Sequence, residues 1–166
     1  MNIIFLKFIL IAVFLSCSKD EPVKTDVDIF IDKVKNNEFI ADSLPKFSFQ
    51  AIPILLDAAN DFSIITIFPI NPVSSYAPTR LTIGECLLWT VEHIRLHFGA
   101  YSTSVGFPSF VPELRDISDI NSNNLTKEQL NDAYSLYYDW WNDNKLKDFE
   151  NFRNINPLEN SKYRWK

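Results

Sequence analysis

The sequence predicts an all-α fold, a single small bundle of about four helices with long ordered loops, preceded by a signal peptide. Apolar residues recur at helical spacing in four separate segments of the chain. Three of these segments open with a capping pattern, in which a threonine is followed three residues later by an acidic or amide side chain. No segment alternates apolar and polar residues in the way that marks a pair of strands.

The first two predicted helices are short. Thr25 opens the first helix, Asp28 completes its capping pattern, and Asn36-Asn37 close it. The second is predicted to start just before Pro53, because proline is tolerated only in the first turn of a helix. Asn60-Asp61 end this second helix, since both residue types favour turns.

The third predicted helix is the central one. Thr82 and Glu85 form its capping box, and Gly99 is placed to end it in the left-handed conformation. Apolar residues cover almost its whole circumference and leave only a narrow polar strip around Glu85, Glu92 and Arg95. A helix that is apolar nearly all round is a buried one. Glu92 and Arg95 are three residues apart, which favours an ion pair on the helix surface.

The fourth predicted helix begins at Thr126, and Gln129 completes its capping box. Trp89 of the third helix and the apolar stripe of the fourth helix are expected to be buried. Tyr138 and Trp140 flank the stripe on opposite sides, so these are the two rings available for binding. The stripe itself consists of Leu130, Tyr134, Tyr137 and Trp141.

Two irregular segments join the last three helices. Phe62 to Arg80 contains three prolines, which preclude a central strand in spite of its β-forming isoleucines. The second segment, residues 99–124, is predicted to include a short turn of helix around Phe110 to Ile117. The tail from Phe149 to Trp165 is rich in aromatic residues, and we expect it to pack back on the bundle.

The N-terminus has the features of a secretion signal. Lys7 precedes the apolar run Phe8 to Leu15, which is too short to cross a bilayer, since a spanning helix needs about 20 residues. Ser16-Cys17 follow, and the segment resembles a lipobox, in which the cysteine receives a lipid and becomes the first residue of the mature protein. Phe14 stands where most lipoboxes have leucine, a departure that resembles the looser lipoboxes of Bacteroidetes-type lipoproteins.

The lipobox resemblance divides the chain. Residues 1–16 are predicted as the signal peptide, residues 17–25 as the lipidated Cys17 with a polar tether, and residues 26–166 as the helical domain. Ser18 to Glu21 resembles the short acidic signal that sends such proteins to the outer cell surface. The resemblance therefore implies a bacterial outer-membrane protein, attached through the lipid on Cys17.

Net charge and cysteine content limit the partners and the covalent cross-links of this protein. The net charge of −5 argues against nucleic acid as a partner and against a membrane surface bound by charge alone. Cys17 and Cys86 are the only cysteines, so lipidation of Cys17 leaves Cys86 without a disulfide partner.

Two segments resemble a known group of proteins. FPINPVSSY, from Phe68 to Tyr76, and RLTIGECLLWTVEHIR, from Arg80 to Arg95, resemble small Bacteroidetes-type lipoproteins of unknown function. This resemblance implies a helical secreted domain, and it implies no particular chemistry.

The candidate catalytic residues are few. His93 and His97 have the four-residue spacing that can hold zinc, but the sequence supplies no third ligand nearby. Glu85 and Glu92 lie two helical turns apart, at the outer limit for an acid–base pair. Both have simpler roles, in the capping box and in an ion pair. We therefore predict no catalytic residue, no metal and no cofactor.

The candidate binding residues lie in the loops and on the fourth helix. We expect any functional surface where the two irregular segments meet, because long irregular loops are often functional. Its contact residues would be Tyr76, Arg80, Tyr101 and Phe107, with Tyr138 and Trp140 as separate candidates. The alternative is that the aromatic residues of the loops only seal the core.

Three functions remain open from the sequence. The favoured prediction is a non-catalytic binding or accessory module at the outer membrane or cell surface, with a protein or glycan partner. The second is an envelope hydrolase that uses Glu92 or His93. The third is a structural subunit of an envelope complex. An exposed apolar patch around Trp140 would favour binding, whereas a pocket that contains Glu92 together with a polar group from another segment would favour the enzyme. A uniformly polar surface would favour the structural subunit.

Overall fold

The computed structural model describes residues 21–69, 78, 80–96, 111–119 and 124–166. The predictions on the signal peptide, Cys17, Tyr76, Tyr101 and Phe107 lie outside these residues, as do His97 and Gly99. The helices are α1 (Glu21–Lys35), a 3-10 turn (Phe49–Ala51), α2 (Ile52–Ala58), α3 (Ile83–Leu96), α4 (Lys127–Asn144) and α5 (Phe149–Phe152). The strands are β1 (Ile64–Ile65), β2 (Leu81–Thr82), β3 (Leu114–Asp116) and β4 (Tyr163–Trp165).

The described fold is dominated by helices but is not all-α, which corrects the sequence prediction. Strands β1 and β2 form one antiparallel two-stranded sheet, and β3 and β4 form another. With two or three residues each, these strands are too short to produce a recognisable alternation of apolar and polar residues. Their partners are also remote in the sequence, so no hairpin turn marks them.

The β1–β2 sheet is compatible with what the prolines predict for the first loop, whereas the β3–β4 sheet contradicts the prediction for the second loop. Pro69 and Pro78 lie between β1 and β2 rather than within them, so the prolines rightly exclude a long strand but permit a short one. The helical turn predicted around Phe110 to Ile117 is wrong, because Leu114–Asp116 is strand β3. In β3 the inward positions are Leu114 and Asp116, and the buried carboxylate disguises the alternation.

Helix α1 begins at Glu21 rather than at Thr25, so part of the predicted tether is helical. Its end is as predicted, because Asn37 adopts the left-handed conformation, with φ 57°, that ends many helices. The Asn37 side chain also accepts hydrogen bonds from the backbone N–H groups of Thr66, at 2.9 Å, and Ile67, at 2.8 Å. This one residue therefore ends α1 and holds the segment after β1.

Helix α3 is central, as predicted, and contacts α1, α2 and α4. Its capping box is confirmed: the Glu85 N–H donates to Thr82 Oγ1 at 3.1 Å, and the Thr82 N–H donates to Glu85 Oε2 at 3.0 Å. The polar strip of α3 is not the exposed face that the sequence suggested. Glu85, Glu92 and Arg95 are all buried, because β3 and the C-terminal segment cover that side.

Helix α3 approaches the end of α2 closely at Gly84. The Gly84 N–H donates to the Asp61 carbonyl at 2.8 Å, and a Cβ at this position would lie 2.5 Å from the Ala59 carbonyl oxygen. Because backbone atoms cannot move aside as a flexible side chain can, glycine is required here for packing.

Replacing Gly84 with alanine is expected to destabilise the protein by about 1–3 kcal/mol, the usual cost of overpacking. Helix propensity alone predicts the opposite, a gain of up to about 1 kcal/mol. Urea unfolding followed by circular dichroism measures the change. Ser135→Ala, at an exposed position of α4, is the control, and it should change stability by no more than a few tenths of a kcal/mol. A more stable Gly84→Ala variant contradicts the close approach.

Helix α4 and the C-terminal segment complete the core. The Thr126–Gln129 capping box is confirmed by both of its hydrogen bonds. The aromatic tail packs back on the bundle, as predicted, and Trp165 meets Trp89 edge to face with ring centroids 4.9 Å apart. The buried aromatic residues of the tail are Phe149, Phe152, Tyr163 and Trp165.

The prediction that Trp140 is available for binding is wrong, whereas Trp141 packs against the core as expected but is only partly buried. Trp140 is only 5% exposed, whereas Trp141 and Trp89 are half-buried. Trp140 packs against Phe152 of α5, with ring centroids 5.5 Å apart. The tail thus covers the side of α4 that carries Trp140, and the buried face is rotated relative to the stripe expected from the sequence.

Candidate functional site

Two parts of the structure concentrate polar and aromatic side chains. One is a buried network that we call the α3 network, formed by Glu92, Arg95, Tyr137 and Trp165. The other is the solvent-facing side of α4, which we call the α4 outer face. They differ in accessibility, which decides what each can do chemically.

The α3 network begins with the predicted Glu92–Arg95 ion pair. Arg95 donates from Nε to Glu92 Oε1 at 3.0 Å and from Nη2 to Glu92 Oε2 at 2.7 Å, so the contact is bidentate. The side chains are 5% and 3% exposed, respectively. A buried charge pair of this kind requires all its donors and acceptors to be paired.

The other members of the network provide that pairing. The Tyr137 hydroxyl donates to Glu92 Oε1 at 2.9 Å and accepts from the Trp165 indole N–H at 2.9 Å. Arg95 Nη1 donates to the Arg153 carbonyl at 2.7 Å. Burial, and then the nearby Glu92 carboxylate, raise the pKa of the Tyr137 phenol well above its ordinary value, so the hydroxyl remains a donor. The network therefore joins α3, α4, the end of α5 and β4.

Glu85 is also fully engaged. Its Oε2 accepts from the Thr82 N–H and hydroxyl, and its Oε1 accepts from the Leu114 N–H at 3.1 Å. Burial raises the pKa of this carboxyl, while the hydrogen bonds from Thr82 and Leu114 oppose the shift. A carboxyl with a raised pKa can serve as a general acid. Here both oxygens are occupied by the α3 capping box and by β3.

Two further buried carboxylates, those of Asp116 and Glu113, form hydrogen bonds and ion pairs at β3 and just before it. Asp116 accepts from the Ser118 N–H at 2.9 Å, from Gln129 Nε2 at 3.0 Å and from Lys162 Nζ at 2.9 Å. Hydrogen bonding, first from the Ser118 side chain and then from Lys162, lowers the pKa of Asp116 to about 2. Glu113 accepts from Lys166 Nζ at 2.9 Å.

The histidine and cysteine of α3 show no sign of a metal site. Burial lowers the pKa of His93, which favours the neutral ring. Burial, and to a lesser degree Glu85, raise the pKa of the Cys86 thiol well above its ordinary value, so this free cysteine is protonated. Within the described ranges, no group of three His, Cys, Asp or Glu side chains could hold a metal ion.

The α4 outer face carries aromatic, amide and acidic side chains in adjacent stripes. The aromatic stripe is Tyr134, Tyr138 and Trp141, in which Tyr138 is 43% exposed and the other two are half-buried. The Tyr134 and Tyr138 rings lie 6.0 Å apart. The next positions around the helix are Asn131, Ser135 and Asn142. Beyond them lies the acidic stripe of Glu128, Asp132, Asp139 and Asp143, all exposed.

The chain matches the family described as Domain of unknown function (DUF4943) over residues 21–166, which is most of its length. The chain belongs to the DUF4943 family. No curated protein and no solved structure matches it. Among the described helices of the DUF4943 domain, none combines the length and the apolar character that crossing a membrane requires.

Of the residues predicted as binding candidates, some are exposed in the structure of the DUF4943 domain, one is buried, and the others lie outside the described residues. Arg80 is exposed, just before β2, whereas Tyr76, Tyr101 and Phe107 lie outside the described residues. Tyr138 is exposed as predicted, but Trp140 is buried and is not available to a partner.

The sequence analysis did not identify every member of the α3 network and of the α4 outer face. Tyr134 and Trp141 were assigned to the core and do pack against it, but both are only partly buried and also border Tyr138 on the α4 outer face. The Glu92–Arg95 pair was predicted, but Tyr137 and Trp165 were not placed beside it. The i, i+4, i+7 spacing of Tyr134, Tyr138 and Trp141 is the signal that could have identified the aromatic stripe.

Proposed function

We propose that this DUF4943 chain is a lipid-anchored protein of the bacterial outer membrane, and that its domain is a non-catalytic binding or accessory module. The proposed anchor is the lipid on Cys17, and it is supported by the resemblance of residues 8–17 to a lipobox. The proposed binding role is supported by the contrast between buried ionisable side chains that are engaged within the domain and a Tyr138 ring that remains exposed.

That contrast is the observation that carries the proposal. The buried ionisable side chains Glu85, Glu92, Arg95, Glu113 and Asp116 all bind backbone groups or opposite charges of the domain itself. A catalytic acid or base must reach a proton of the substrate. Each of these five residues is at most 7% exposed, whereas Tyr138 is 43% exposed.

The same geometry weighs against the envelope hydrolase. Glu92, one of the two residues named for that alternative, is only 2% exposed, and its two oxygens accept three hydrogen bonds within the domain. A substrate would have to displace the Arg95 guanidinium to reach it, and this would leave a buried charge unpaired. The position of Glu92 fits a structural role.

Cys17→Ser is expected to abolish the lipid-anchored mature protein in the outer membrane. Stable attachment requires more than one acyl chain, and a hydroxyl cannot accept the thioether-linked lipid on which the lipoprotein pathway depends. Fractionation of the native host, with an antibody against the domain, shows whether the protein moves from the outer-membrane pellet to the soluble fraction or stays as an uncleaved precursor. Cys86→Ser is the matched control, because its buried thiol should have no effect on location.

If mature-length Cys17→Ser protein still sediments with the outer membrane, the anchor is wrong. If the unsubstituted chain is found in the inner membrane or the cytoplasm, the proposed location is wrong. Neither result depends on what the α4 outer face binds, because the location is set by the first part of the chain.

A further inference from the structure

We propose that the α4 outer face docks a cationic, Lys- and Arg-rich segment of a partner protein. The inference rests on the proposed binding role and names the chemistry of the partner. Three properties of the face carry it: the charge of the acidic stripe, the exposure of the aromatic stripe, and the way in which neighbouring lysines are already engaged.

The acidic stripe forms a continuous line of negative charge. At about 100° per residue, Glu128, Asp132, Asp139 and Asp143 fall within about 60° of one another around the helix axis. Helix α4 contains a single lysine, Lys127, which does not lie on this line. Like charges at this spacing repel one another, and Asp139 and Asp143 also lie in the C-terminal half of α4, where the helix dipole disfavours negative charge. An approaching cation relieves both effects.

The N-terminal half of the stripe is engaged within the domain, since Glu128 interacts with Thr126 and Lys127, and Asp132 Oδ2 accepts from the Tyr163 hydroxyl at 3.1 Å. Within the described part of the chain, the other cations near the stripe leave its C-terminal half, Asp139 and Asp143, without a charge partner. Lys127 lies over the Phe62 ring, with Nζ 5.0 Å from the centroid. Lys145 Nζ binds Asn142 at 2.8 Å, and Lys162 Nζ binds Asp116 at 2.9 Å. Among the described residues, Asp139 and Asp143 are in no ion pair, so their charges remain available to a partner.

The aromatic stripe provides the second half of cation recognition. Tyr138 offers an exposed ring face, and Lys or Arg placed over such a face gains cation–π attraction. Tyr134 lies beside it, and the carboxylate of Asp57 on α2 is near enough to raise the pKa of the Tyr134 phenol, after burial and Tyr138. Asp57 is therefore close to the Tyr134 ring, and the acidic stripe lies on the opposite side of the aromatic stripe, beyond the positions of Asn131, Ser135 and Asn142.

This combination favours a basic protein segment over other partners. A long Lys or Arg side chain can place its aliphatic stem on the rings and its charge against the carboxylates. Anionic lipid, nucleic acid and acidic glycans are repelled by the stripe. A neutral glycan could stack on Tyr138 but would gain nothing from the charges of Asp139 and Asp143. Tyrosine and tryptophan are also enriched in protein interfaces.

The test measures binding of a fluorescent oligo-arginine peptide to the full chain in non-ionic detergent, by anisotropy. The double variant Asp139→Asn/Asp143→Asn is expected to weaken binding by about 2- to 30-fold, from the strength of two exposed ion pairs. Tyr138→Ala is expected to weaken it by about 2- to 5-fold through loss of the cation–π contact. Raising the salt from about 0.1 M to about 1 M, which shortens the Debye length from about 10 Å to about 3 Å, should abolish most of the binding.

Matched controls separate docking at this face from attraction to an acidic protein. Asp26→Asn/Asp28→Asn removes the same charge from exposed positions of α1, and Leu146→Ser alters an exposed apolar side chain outside the face. Equal weakening by the α1 and α4 pairs overturns the proposal, as does peptide binding that is insensitive to salt. Binding of a cello-oligosaccharide that requires Tyr138 but not Asp139 and Asp143 also overturns it, in favour of a glycan site. Because location is not measured, these results are independent of the Cys17→Ser experiment.

Discussion

Replacing Glu92 with alanine is expected to lower the free energy of unfolding by about 3–5 kcal/mol. The variant leaves the Arg95 guanidinium, which is 5% exposed, without its bidentate carboxylate. It also removes the acceptor of the Tyr137 hydroxyl. Since typical domains are stable by about 5–15 kcal/mol, this one substitution should remove a large share of the total stability. Urea unfolding, followed by tryptophan fluorescence, measures the difference.

The chain contains a natural control for this prediction. Glu150 and Arg153 have the same three-residue spacing, but the Glu150 side chain is 63% exposed, and its contact with Arg153 Nη1 is 3.2 Å long. Glu150→Ala should therefore cost no more than about 1 kcal/mol, as for other surface ion pairs. Both substitutions remove one glutamate from one Glu–Arg pair, so the difference between them reports the burial of Glu92 together with its hydrogen bond from Tyr137.

Two further variants keep the result interpretable if Glu92→Ala does not fold. Tyr137→Phe removes one hydroxyl from the network and should cost about 1–3 kcal/mol, because Trp165 Nε1 and one Glu92 oxygen lose a partner. In Glu92→Ala/Arg95→Met both charges are absent, and much of the lost stability should return. Similar small effects of Glu92→Ala and Glu150→Ala contradict a buried network that depends on paired charges.

The elements that the sequence predicts correctly are those determined by neighbouring residues. The Thr82–Glu85 and Thr126–Gln129 boxes use groups three residues apart, and Asn37 ends α1 through its own backbone conformation. Local geometry of this kind is independent of the remainder of the fold. The Glu92–Arg95 pair was predictable for the same reason.

The features that the sequence does not predict depend on contacts between distant segments. Strand β3 exists because Leu114 pairs with Trp165 across the domain, and no local signal in 110–117 encodes that partner. The polar strip of α3 is buried because distant segments pack over it. There the Leu114 N–H donates to Glu85, and Arg95 donates to the Arg153 carbonyl. Hydrophobic periodicity alone cannot reveal a buried polar face.

The candidate binding surface was predictable in part. Tyr138 was identified because it lies beside the apolar stripe, and it is exposed. Trp140 was misassigned because α5, which covers it, is only four residues long and has no clear periodic pattern of its own. Phe152 of α5 contacts both tryptophans, with ring centroids 5.5 Å from Trp140 and 6.1 Å from Trp141, but only Trp140 is buried.

The different burial of Trp140 and Trp141 leads to a prediction about the stability of their alanine variants. Trp140→Ala should destabilise the domain by about 3–5 kcal/mol, because it opens a cavity beside Phe152. Trp141→Ala should cost clearly less, since Trp141 is half-buried and part of its contact area already faces solvent. Thermal unfolding of both variants at equal concentration provides the comparison, and equal shifts in Tm contradict the rotated face.

Phenylalanine substitutions at Trp140 and Trp165 separate the effect of volume from that of hydrogen bonding. The buried Trp140 Nε1 has no hydrogen-bond acceptor in the part of the chain that the structure describes, whereas Trp165 Nε1 donates to the Tyr137 hydroxyl at 2.9 Å. Trp140→Phe removes an unpaired buried donor, which offsets part of the volume loss, while Trp165→Phe leaves Tyr137 without that donor. We therefore expect Trp165→Phe to be the more destabilising by about 1 kcal/mol or more. A Trp140→Phe variant that is the less stable of the two indicates that the Trp140 indole N–H has an acceptor, and that this corner of the domain is more polar than its aromatic packing suggests.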